Sequence, residues 1–315
     1  MANTLSCISE NMAYYVSCKE LFDRLGKHEV YKFNKTSILG QINEVNHFLK
    51  NNKDIDCVLF NGGNTIFFVP FVWNVRKIFY RHTTNMNISN CSKRIVYILL
   101  WHICYFFCDK IIHVSSYSLK EQKFFLSKAI CIHHGVVLDT PRKIRKDVHS
   151  FLYVGRLDKS KGIDIIVEAF TKLPKGTAKL NIVGSGDMND YISALDNSDI
   201  HYWGFQSDVS SFYKNADVFV TLPTNEAFGL TIIEAMKYSL PVITCDIGGI
   251  KEIVSNRING FLVIRNVESV YKAMQEMQTN KELYSKMSFN AYSTISSFFT
   301  HEETVRKLKR IILSG

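Results

Sequence analysis

Residues 151–162 have the sequence FLYVGRLDKSKG, and this stretch decides the fold. Four apolar residues followed by Gly155 are typical of a buried strand that ends in a turn. Arg156 and Lys161 then lie in the loop at the carboxyl end of that strand, where parallel sheets bind their ligands. A planar guanidinium and a compact ammonium together suit a diphosphate. The stretch predicts an anion-binding loop, although a solvated basic loop would have the same pattern.

The chain that follows alternates between strand and helix patterns. The predicted strands cover residues 151–155, 178–183, 200–203, 217–221, 241–244 and 260–263. The predicted helices cover residues 162–173, 188–195, 207–214, 229–238 and 267–278. Such alternation indicates a parallel sheet covered on both faces by helices.

The first half has the same pattern in a weaker form. Strands are predicted at 5–8, 30–33, 56–60, 77–80 and 110–114, with a helix over residues 14–25. A chain of 315 residues suits two domains better than one. We therefore predict an α/β protein with two Rossmann-like domains, whose parallel sheets face each other across a cleft.

The domain boundaries follow from composition. Residues 1–140 are predicted as the N-terminal domain, and residues 141–150, rich in Lys and Arg, as a linker. Residues 151–299 are predicted as the C-terminal domain. Thr300 and Glu303 form a capping-box pattern, so residues 300–315 are predicted as a terminal helix that packs back toward the first domain.

A second stretch with chemical content is PTNEAFGLTIIEAM, residues 223–236. Glu226 lies in the loop after a strand, and Glu234 lies about one turn into the following helix. Between them the helix N-terminus offers free backbone amides for phosphate, at Phe228, Gly229, Leu230 and Thr231. Carboxylates beside a phosphate site suit a ligand with hydroxyl groups, which a sugar nucleotide has. Two surface glutamates on an amphipathic helix are the structural alternative.

Together the two stretches resemble the nucleotide-sugar site of glycosyltransferase family 4, whose fold is the GT-B type. Further matches lie at residues 184–186 (GSG), 201–204 (HYWG), 216–218 (ADV), 241–243 (PVI) and 248–249 (GG). Weaker matches lie at residues 81–82, 109–115 and 134–136. The resemblance is strong over residues 151–263 and weaker in the first half.

The resemblance implies a role for each matching residue. Arg156 and Lys161 would bind the donor diphosphate, Glu226 would contact the transferred sugar, and Glu234 would hold the ribose hydroxyls. His82 would lie across the cleft near the reacting carbon, and the N-terminal domain, residues 1–140, would bind the acceptor. The other donor-binding residues would be Gly155, Trp203, Phe228, Gly229, Leu230 and Thr231.

The resemblance also implies a retaining transferase that needs no divalent metal and no cofactor besides its nucleotide-sugar donor. We expect a hexose-type sugar to pass to a saccharide or lipid-linked saccharide, in bacterial synthesis of O-antigen, capsule or lipopolysaccharide. Two alternatives are a non-catalytic nucleotide-sugar-binding paralogue or partner subunit, and a sugar-nucleotide epimerase on the same fold.

The net charge of +9 lies entirely in the first half. Residues 1–148 contain 20 Lys and Arg against 11 Asp and Glu, whereas residues 149–315 contain 18 of each. This half could contact an anionic membrane, an acidic partner or only water. The apolar run 95–107 is too short to span a bilayer, so we expect a buried helix or a membrane-contacting surface. Basic residues interleaved with aromatics along one groove are not evident, so no nucleic-acid partner is expected.

The cysteines indicate the compartment. Eight cysteines show no CxxC pair or disulfide-like spacing, and the first residues lack a secretory pattern, so we expect a cytoplasmic protein, peripheral on the membrane if it contacts lipid. A zinc site at His102, Cys104, Cys108 and His113 is the less favoured interpretation of an apolar helix. The turn 184–186 lacks the third glycine of a dinucleotide fingerprint.

Two features depart from the family pattern. Residues 9–12 (SENM) contain no glycine where the family often has a glycine-rich loop, and the first half is short. Both leave acceptor recognition and the partner of His82 open.

Overall fold

The computed structural model describes residues 3–8, 28–31, 37–61, 63–82, 91–139, 144–145 and 147–313. The chain divides into two compact units. One consists of Met1–His134 together with His301–Gly315, and the other of Gly135–Thr300. The predicted helix over 14–25 and the loop 9–12 lie outside the described residues.

The first unit contains a six-stranded parallel sheet in the order β2-β1-β3-β4-β5-β6. Its strands are β1 (Asn3–Ile8), β2 (His28–Tyr31), β3 (Ile55–Asn61), β4 (Arg76–Arg81), β5 (Lys110–His113) and β6 (Ala129–Cys131). Its helices are α1 (Ile38–Asn51), α2 (Cys91–Phe106), α3 (Ser116–Lys120) and the C-terminal α10 (His301–Leu313), with 3-10 turns at Gly63–Phe71 and Leu126–Lys128.

The second unit contains another six-stranded parallel sheet, in the order β12-β11-β10-β7-β8-β9. Its strands are β7 (Ser150–Val154), β8 (Lys179–Val183), β9 (Ile200–Tyr202), β10 (Val218–Val220), β11 (Val242–Cys245) and β12 (Gly260–Val263). Its helices are α4 (Ile163–Thr171), α5 (Asn189–Ser193), α6 (Ser210–Asn215), α7 (Leu230–Met236), α8 (Val267–Thr279) and α9 (Lys281–Phe298), with 3-10 turns at Lys159–Lys161 and Gly248–Glu252.

The central strands are buried on both faces, as helix-covered parallel strands must be. Residues 57–61 of β3 and all of β11 are fully buried. Helix starts carry the expected side-chain caps: Ser37 accepts from the Gly40 amide, and Asn266 accepts from the Ser269 amide at 2.8 Å. The predicted α/β class with two parallel sheets is confirmed.

The chain passes from one unit to the other after His134 and again after Thr300. The terminal helix begins at His301 and groups with the first unit. The change of unit falls after His134, ahead of the predicted linker, because the segment beyond it bonds within the second unit. There Val136 donates to Phe299 O at 2.9 Å, and Lys237 forms an ion pair with Asp139 at 3.4 Å.

The apolar run 95–107 forms most of α2. One face of this helix is buried through Trp101, Cys104 and Tyr105, while the opposite face exposes large apolar side chains. Among the described helices, none combines the length and hydrophobicity that a membrane crossing requires.

Candidate functional site

The centre of the second sheet is where strand order reverses. β7 and β10 are hydrogen-bonded neighbours, but the chain leaves β7 toward β8 on one side and leaves β10 toward β11 on the other. The loops at the carboxyl ends of such a pair diverge and leave a crevice, which is the usual ligand site of an open α/β sheet. Here these loops are residues 155–162 and 221–229, the two stretches singled out in the sequence.

The reversal brings Lys161 and Glu226 together. The Lys161 ammonium lies 2.8 Å from Glu226 Oε2, and both side chains are about one quarter exposed, at 25% each. The backbones are joined as well, since the Leu222 amide donates to Lys161 O at 3.1 Å and the Thr224 amide donates to Ser160 O at 2.7 Å. The predicted phosphate-binding cation, Lys161, and the predicted sugar-binding carboxylate, Glu226, therefore form one ion pair.

The turn that carries Lys161 is shaped by its neighbours. Asp158 caps it, because its carboxylate accepts from the Lys161 amide at 3.1 Å and from the Ser160 hydroxyl. Gly162 follows with φ 71°. A Cβ there would lie 2.7 Å from Leu222 Cβ, so the close approach of the two loops requires glycine.

Arg156 is the more exposed cation of the first loop. Its side chain is 69% exposed, and Nε lies 2.5 Å from Asp158 Oδ2. Burial raises the pKa of the Asp158 carboxyl, but the Ser160 hydrogen bond and the Arg156 charge outweigh it and lower that pKa below its usual value. Asp158 thus stays ionised and ties the guanidinium to the turn that bears Lys161, a role the sequence analysis did not assign.

The turn 184–186 supports the Arg156 loop. Gly184 has φ 138°, and a Cβ on it would overlap the Gly155 carbonyl oxygen. The Leu157 amide donates to Ser185 O at 3.0 Å, and the Gly155 amide donates to Val183 O at 3.0 Å. These glycines allow two loops to pack backbone against backbone.

Gly248 and Gly249 support the Glu226 loop in the same way. The Gly249 amide donates to Glu226 O at 3.0 Å. A Cβ on Gly248 would overlap the Glu226 carbonyl oxygen, and one on Gly249 would overlap the Ala227 carbonyl oxygen. The sequence contained these glycine pairs as family matches, but only the structure shows what each of them supports.

The predicted phosphate turn lies at the start of α7. Gly229 has φ 115° and precedes the helix, and its carbonyl accepts from the Ile232 and Ile233 amides at 3.1 and 3.2 Å. The amides of Leu230 and Thr231 therefore have no acceptor within the helix and can serve an anion. Phe228 is buried, with its ring 5.7 Å from the ring of Phe299.

Glu234 lies on α7 beyond that turn. Its Oε2 accepts from the Tyr213 hydroxyl at 3.3 Å. Burial, together with the Glu234 charge, raises the pKa of Tyr213 well above its usual value, so the phenol stays protonated and donates. This bond engages one carboxylate oxygen of Glu234, which is half-buried.

Trp203 lies farther from these groups. It follows β9, the edge strand, and its indole Nε1 donates to Asn181 Oδ1 at 3.0 Å while its ring lies 5.4 Å from that of Phe212. Among the described residues, no hydrogen bond or ring contact connects Trp203 to Lys161 or Glu226. Its donor-binding role stays a prediction.

His82 belongs to the first unit, just after β4. Its Nε2 is hydrogen-bonded to Asn61 Oδ1, and its ring meets the Tyr80 ring edge-on at 4.2 Å. Burial and the nearby His134 lower the pKa of His82 well below its usual value. The imidazole is therefore neutral at pH 7, which suits hydrogen bonding to a ligand better than proton donation.

The side chains considered for zinc are engaged within the protein. His113 Nδ1 bonds the Ser118 hydroxyl at 3.0 Å and Nε2 bonds Gln122 Oε1 at 2.5 Å. Cys108 Sγ donates to Cys104 O at 3.5 Å, and His102 Nδ1 bonds Ile98 O at 2.5 Å. Both ring nitrogens of His113 are hydrogen-bonded within the protein. We therefore assign this buried side chain a structural role.

Comparison with known proteins connects this geometry to a family. Residues 139–294 match the model of "Glycosyl transferases group 1". An uncharacterized glycosyltransferase of Methanocaldococcus jannaschii is 36% identical over 136 residues, which are 40% of this chain and 35% of that protein. The capsular polysaccharide biosynthesis glycosyltransferase CapM of Staphylococcus aureus is 29% identical over 169 residues, 51% of this chain and 44% of that protein.

Solved structures extend the similarity in fold to the whole chain. HepE of Anabaena, solved in complex with UDP, covers 100% of both chains with a TM-score of 0.84 and 15% identity. The same protein solved with UDP-glucose superimposes with a TM-score of 0.81 and 16% identity over 100% of both chains.

The matched regions define what the comparisons establish. The chain spans from 35% to 59% of the length of the first four curated relatives. The match to glycosyl transferases group 1 covers residues 139–294. The two parallel α/β sheets have the GT-B fold of the solved glycosyltransferase structures.

Proposed function

We propose that this protein is a retaining glycosyltransferase of family 4 that moves a hexose-type sugar from a nucleotide-sugar to a saccharide or lipid-linked saccharide. The product would be part of a bacterial surface polysaccharide, such as capsule, O-antigen or lipopolysaccharide. The observation that carries the proposal is the contact of Lys161 with Glu226 at the reversal of strand order. The name of CapM supports the class of product, and the complexes of HepE with UDP and UDP-glucose support the class of donor.

The chemistry follows from where charge develops. When the bond between the sugar and the diphosphate breaks, negative charge accumulates on the departing phosphate. Lys161, Arg156 and the amides of Leu230 and Thr231 supply positive charge and donors that are in place beforehand, which is the most effective form of electrostatic catalysis. We propose that this fixed charge replaces the divalent ion that other transferases use.

The carboxylates complete the donor site in this proposal. Glu226 would accept from hydroxyls of the transferred sugar, and Glu234, held by Tyr213, would accept from the ribose. His82 would contribute a neutral imidazole near the reacting carbon. In this proposal Lys161 and Arg156 lie where negative charge develops on the departing phosphate, so we prefer transfer over binding alone.

The test is a screen of UDP-, GDP- and dTDP-hexoses by thermal shift, followed by transfer assays with EDTA present. A donor at 100 times its dissociation constant should stabilise the protein by about 2.7 kcal/mol. The anomeric configuration of the product, read by NMR, should match that of the donor. Binding without transfer would favour the non-catalytic alternative, and a donor converted to its epimer would favour the epimerase.

For the acceptor side we propose that the first unit docks on an anionic membrane. The exposed face of α2 carries Ile95, Leu99, Ile103 and Phe106, each more than half exposed. These four residues, at spacings of three and four, form a continuous apolar stripe; we call it the α2 face. Phe124, whose ring lies 4.9 Å from that of His102, extends this surface from the loop after α3.

Charge around the α2 face favours anionic lipid. Residues 91–128 contain six Lys and Arg but only two acids. Both acids are engaged, since Glu121 forms an ion pair with Arg81 at 3.4 Å and Asp109 accepts from the Lys77 amide at 2.7 Å. An apolar stripe bordered by basic residues is the pattern of a helix that lies in a bilayer interface.

Vesicle flotation tests this contact. We expect binding to vesicles rich in anionic lipid at low salt, weaker binding at high salt, and little binding to zwitterionic vesicles. The variant Ile103→Ser with Phe106→Ser should lose binding, whereas Phe289→Ser, at an equally exposed phenylalanine of the second unit, should retain it. Equal binding of all three proteins would exclude the α2 face.

A further inference from the structure

Arg265 connects the two loops of the candidate site from a distant strand. It follows β12, the edge strand, and its side chain passes the end of β11 to reach the loops after β10 and β7. Its Nε donates to Leu222 O at 2.9 Å, and its Nη2 donates to Lys159 O. One guanidinium therefore bonds a carbonyl in each loop.

The two carbonyls lie close to the functional side chains. Lys159 is two residues before Lys161 in the 3-10 turn, and Leu222 is four residues before Glu226. The Leu222 amide bonds Lys161 O from the other side. Arg265 thus closes a ring of backbone contacts around the point where the two loops meet.

The contact requires the shape of arginine. A planar guanidinium presents donors in fixed directions, so Nε and Nη2 can serve two carbonyls at once. A lysine ammonium carries the same charge but is a point donor on a flexible stem. The packing is tight as well, since a Cβ on Gly162 would lie 3.3 Å from Arg265 Nη2.

We propose that Arg265 is a positioning residue that sets the separation of the two loops and thereby holds Lys161 against Glu226. This inference rests on the proposed transferase function for its effect on turnover, but not for its effect on loop structure. Loss of the clamp should let the loops separate, and displacements of about 1 Å in such a site can cost roughly 10²-fold in rate.

The test compares Arg265→Lys with Arg265→Gln and with the control Arg257→Lys. Arg257 is an exposed residue of the same unit, in an ion pair with Glu276 at 2.6 Å. We expect Arg265→Lys to lower kcat by about 10²-fold with a smaller change in the donor KM, and the charge-free Arg265→Gln to be no worse. The double variant Arg265→Lys, Lys161→Met should lose little more kcat than Lys161→Met alone, because both changes disrupt the same Lys161–Glu226 contact.

Amide hydrogen exchange separates this inference from the proposed function. In Arg265→Lys, exchange should accelerate in residues 159–162 and 222–226 and remain unchanged in Arg257→Lys, whether or not a donor has been found. Full activity of Arg265→Lys would overturn the positioning role, and so would unchanged exchange in both loops. If the wild-type protein shows no transfer activity but the two variants show this exchange pattern, only the proposed function is overturned.

Discussion

At the scale of single residues, the ion pair of Lys161 and Glu226 has two consequences. The carboxylate holds the ammonium in the crevice before any ligand arrives, so the lysine loses little side-chain freedom on binding phosphate. A donor diphosphate then adds a second partner to the same ammonium, while Glu226 turns its remaining lone pairs to hydroxyl groups. Arg156 is far more exposed, and its contact with Asp158 ties it to the same turn.

We therefore predict that Lys161→Ala and Arg156→Ala each lower turnover on the order of 10²–10³-fold, as removal of a donor to a developing anion does elsewhere. Steady-state kinetics with the donor found by thermal shift would measure both. Lys172→Ala, at an exposed lysine paired with Glu268 in the same unit, is the matched control. Turnover of either site variant within threefold of wild type would refute its assigned role.

The residue types of the site were predictable, but their contacts were not. Lys161 and Glu226 stood out because cations and carboxylates follow strands at positions where parallel sheets bind ligands. Their direct contact depends on β7 and β10 being neighbours, which the sequence does not reveal because Lys161 and Glu226 are 65 positions apart. Arg265 gave no local signal, because its partners lie 43 and 106 residues away.

At the scale of elements, the site rests on turns packed backbone to backbone. Gly184 with φ 138° meets the Gly155 carbonyl in this stack. Gly176 also has positive φ, 74°, but a Cβ there would meet nothing within 4 Å. Substitutions at Gly176 and Gly184 therefore separate the free-energy cost of a positive φ from that of a steric clash.

We expect Gly176→Ala to destabilise the protein by about 1 kcal/mol, the cost of a side chain at positive φ. Gly184→Ala adds a clash with backbone and should cost about 2–5 kcal/mol. Urea unfolding of both variants would measure the difference. Equal losses would show that the turn adapts, and would remove the argument that it fixes the Arg156 loop.

The elements of the second unit were predicted well because its strands alternate regularly with helix patterns, and some of them, such as β7 and β10, are short apolar runs. The long helix α9 was not predicted. Asn280 ends α8 and also caps α9, where its side chain accepts from the Leu283 amide at 3.1 Å, so no turn residues separate the two. The buried side of α9 also includes Ser288 and Ala291, which weakens the apolar period. The strand β6, Ala129–Cys131, was not predicted either.

At the scale of the whole molecule, buried histidines distinguish the first unit. Among the described residues, the histidines with a lowered pKa are His82, His113 and His134, all in that unit. Burial and the Arg81 charge lower the pKa of His113 to about 4, and burial and His301 lower that of His134 to about 3. Each imidazole is held neutral in the folded protein.

The sign of the pH dependence follows from linkage. The unfolded chain, with histidine pKa near 6.5, binds more protons than the folded chain between about pH 6.5 and pH 4. The contribution of these histidines to the free energy of unfolding is therefore fully present above about pH 6.5. It falls as the pH approaches their pKa values in the folded protein, by about 1.4 kcal/mol per pH unit for each such histidine. We predict that the first unit loses hydrogen-exchange protection earlier than the second as pH falls from 6.5 to 4.5, after correction for intrinsic exchange rates.

His113→Asn should reduce the pH slope of the first unit, whereas His149→Asn, at an exposed position of the second unit, should leave it unchanged. If both units lose protection in parallel, the buried histidines do not govern acid sensitivity.

The central claim is that a cradle of cations and amides in the second unit receives the diphosphate of a sugar nucleotide. The most direct measurement is a crystal structure of the protein with a non-hydrolysable analogue of the donor that gives the largest thermal shift. The claim predicts both phosphates within hydrogen-bond distance of Lys161 Nζ, the Arg156 guanidinium and the Leu230 or Thr231 amide. Phosphates bound at any other place on the protein would contradict it.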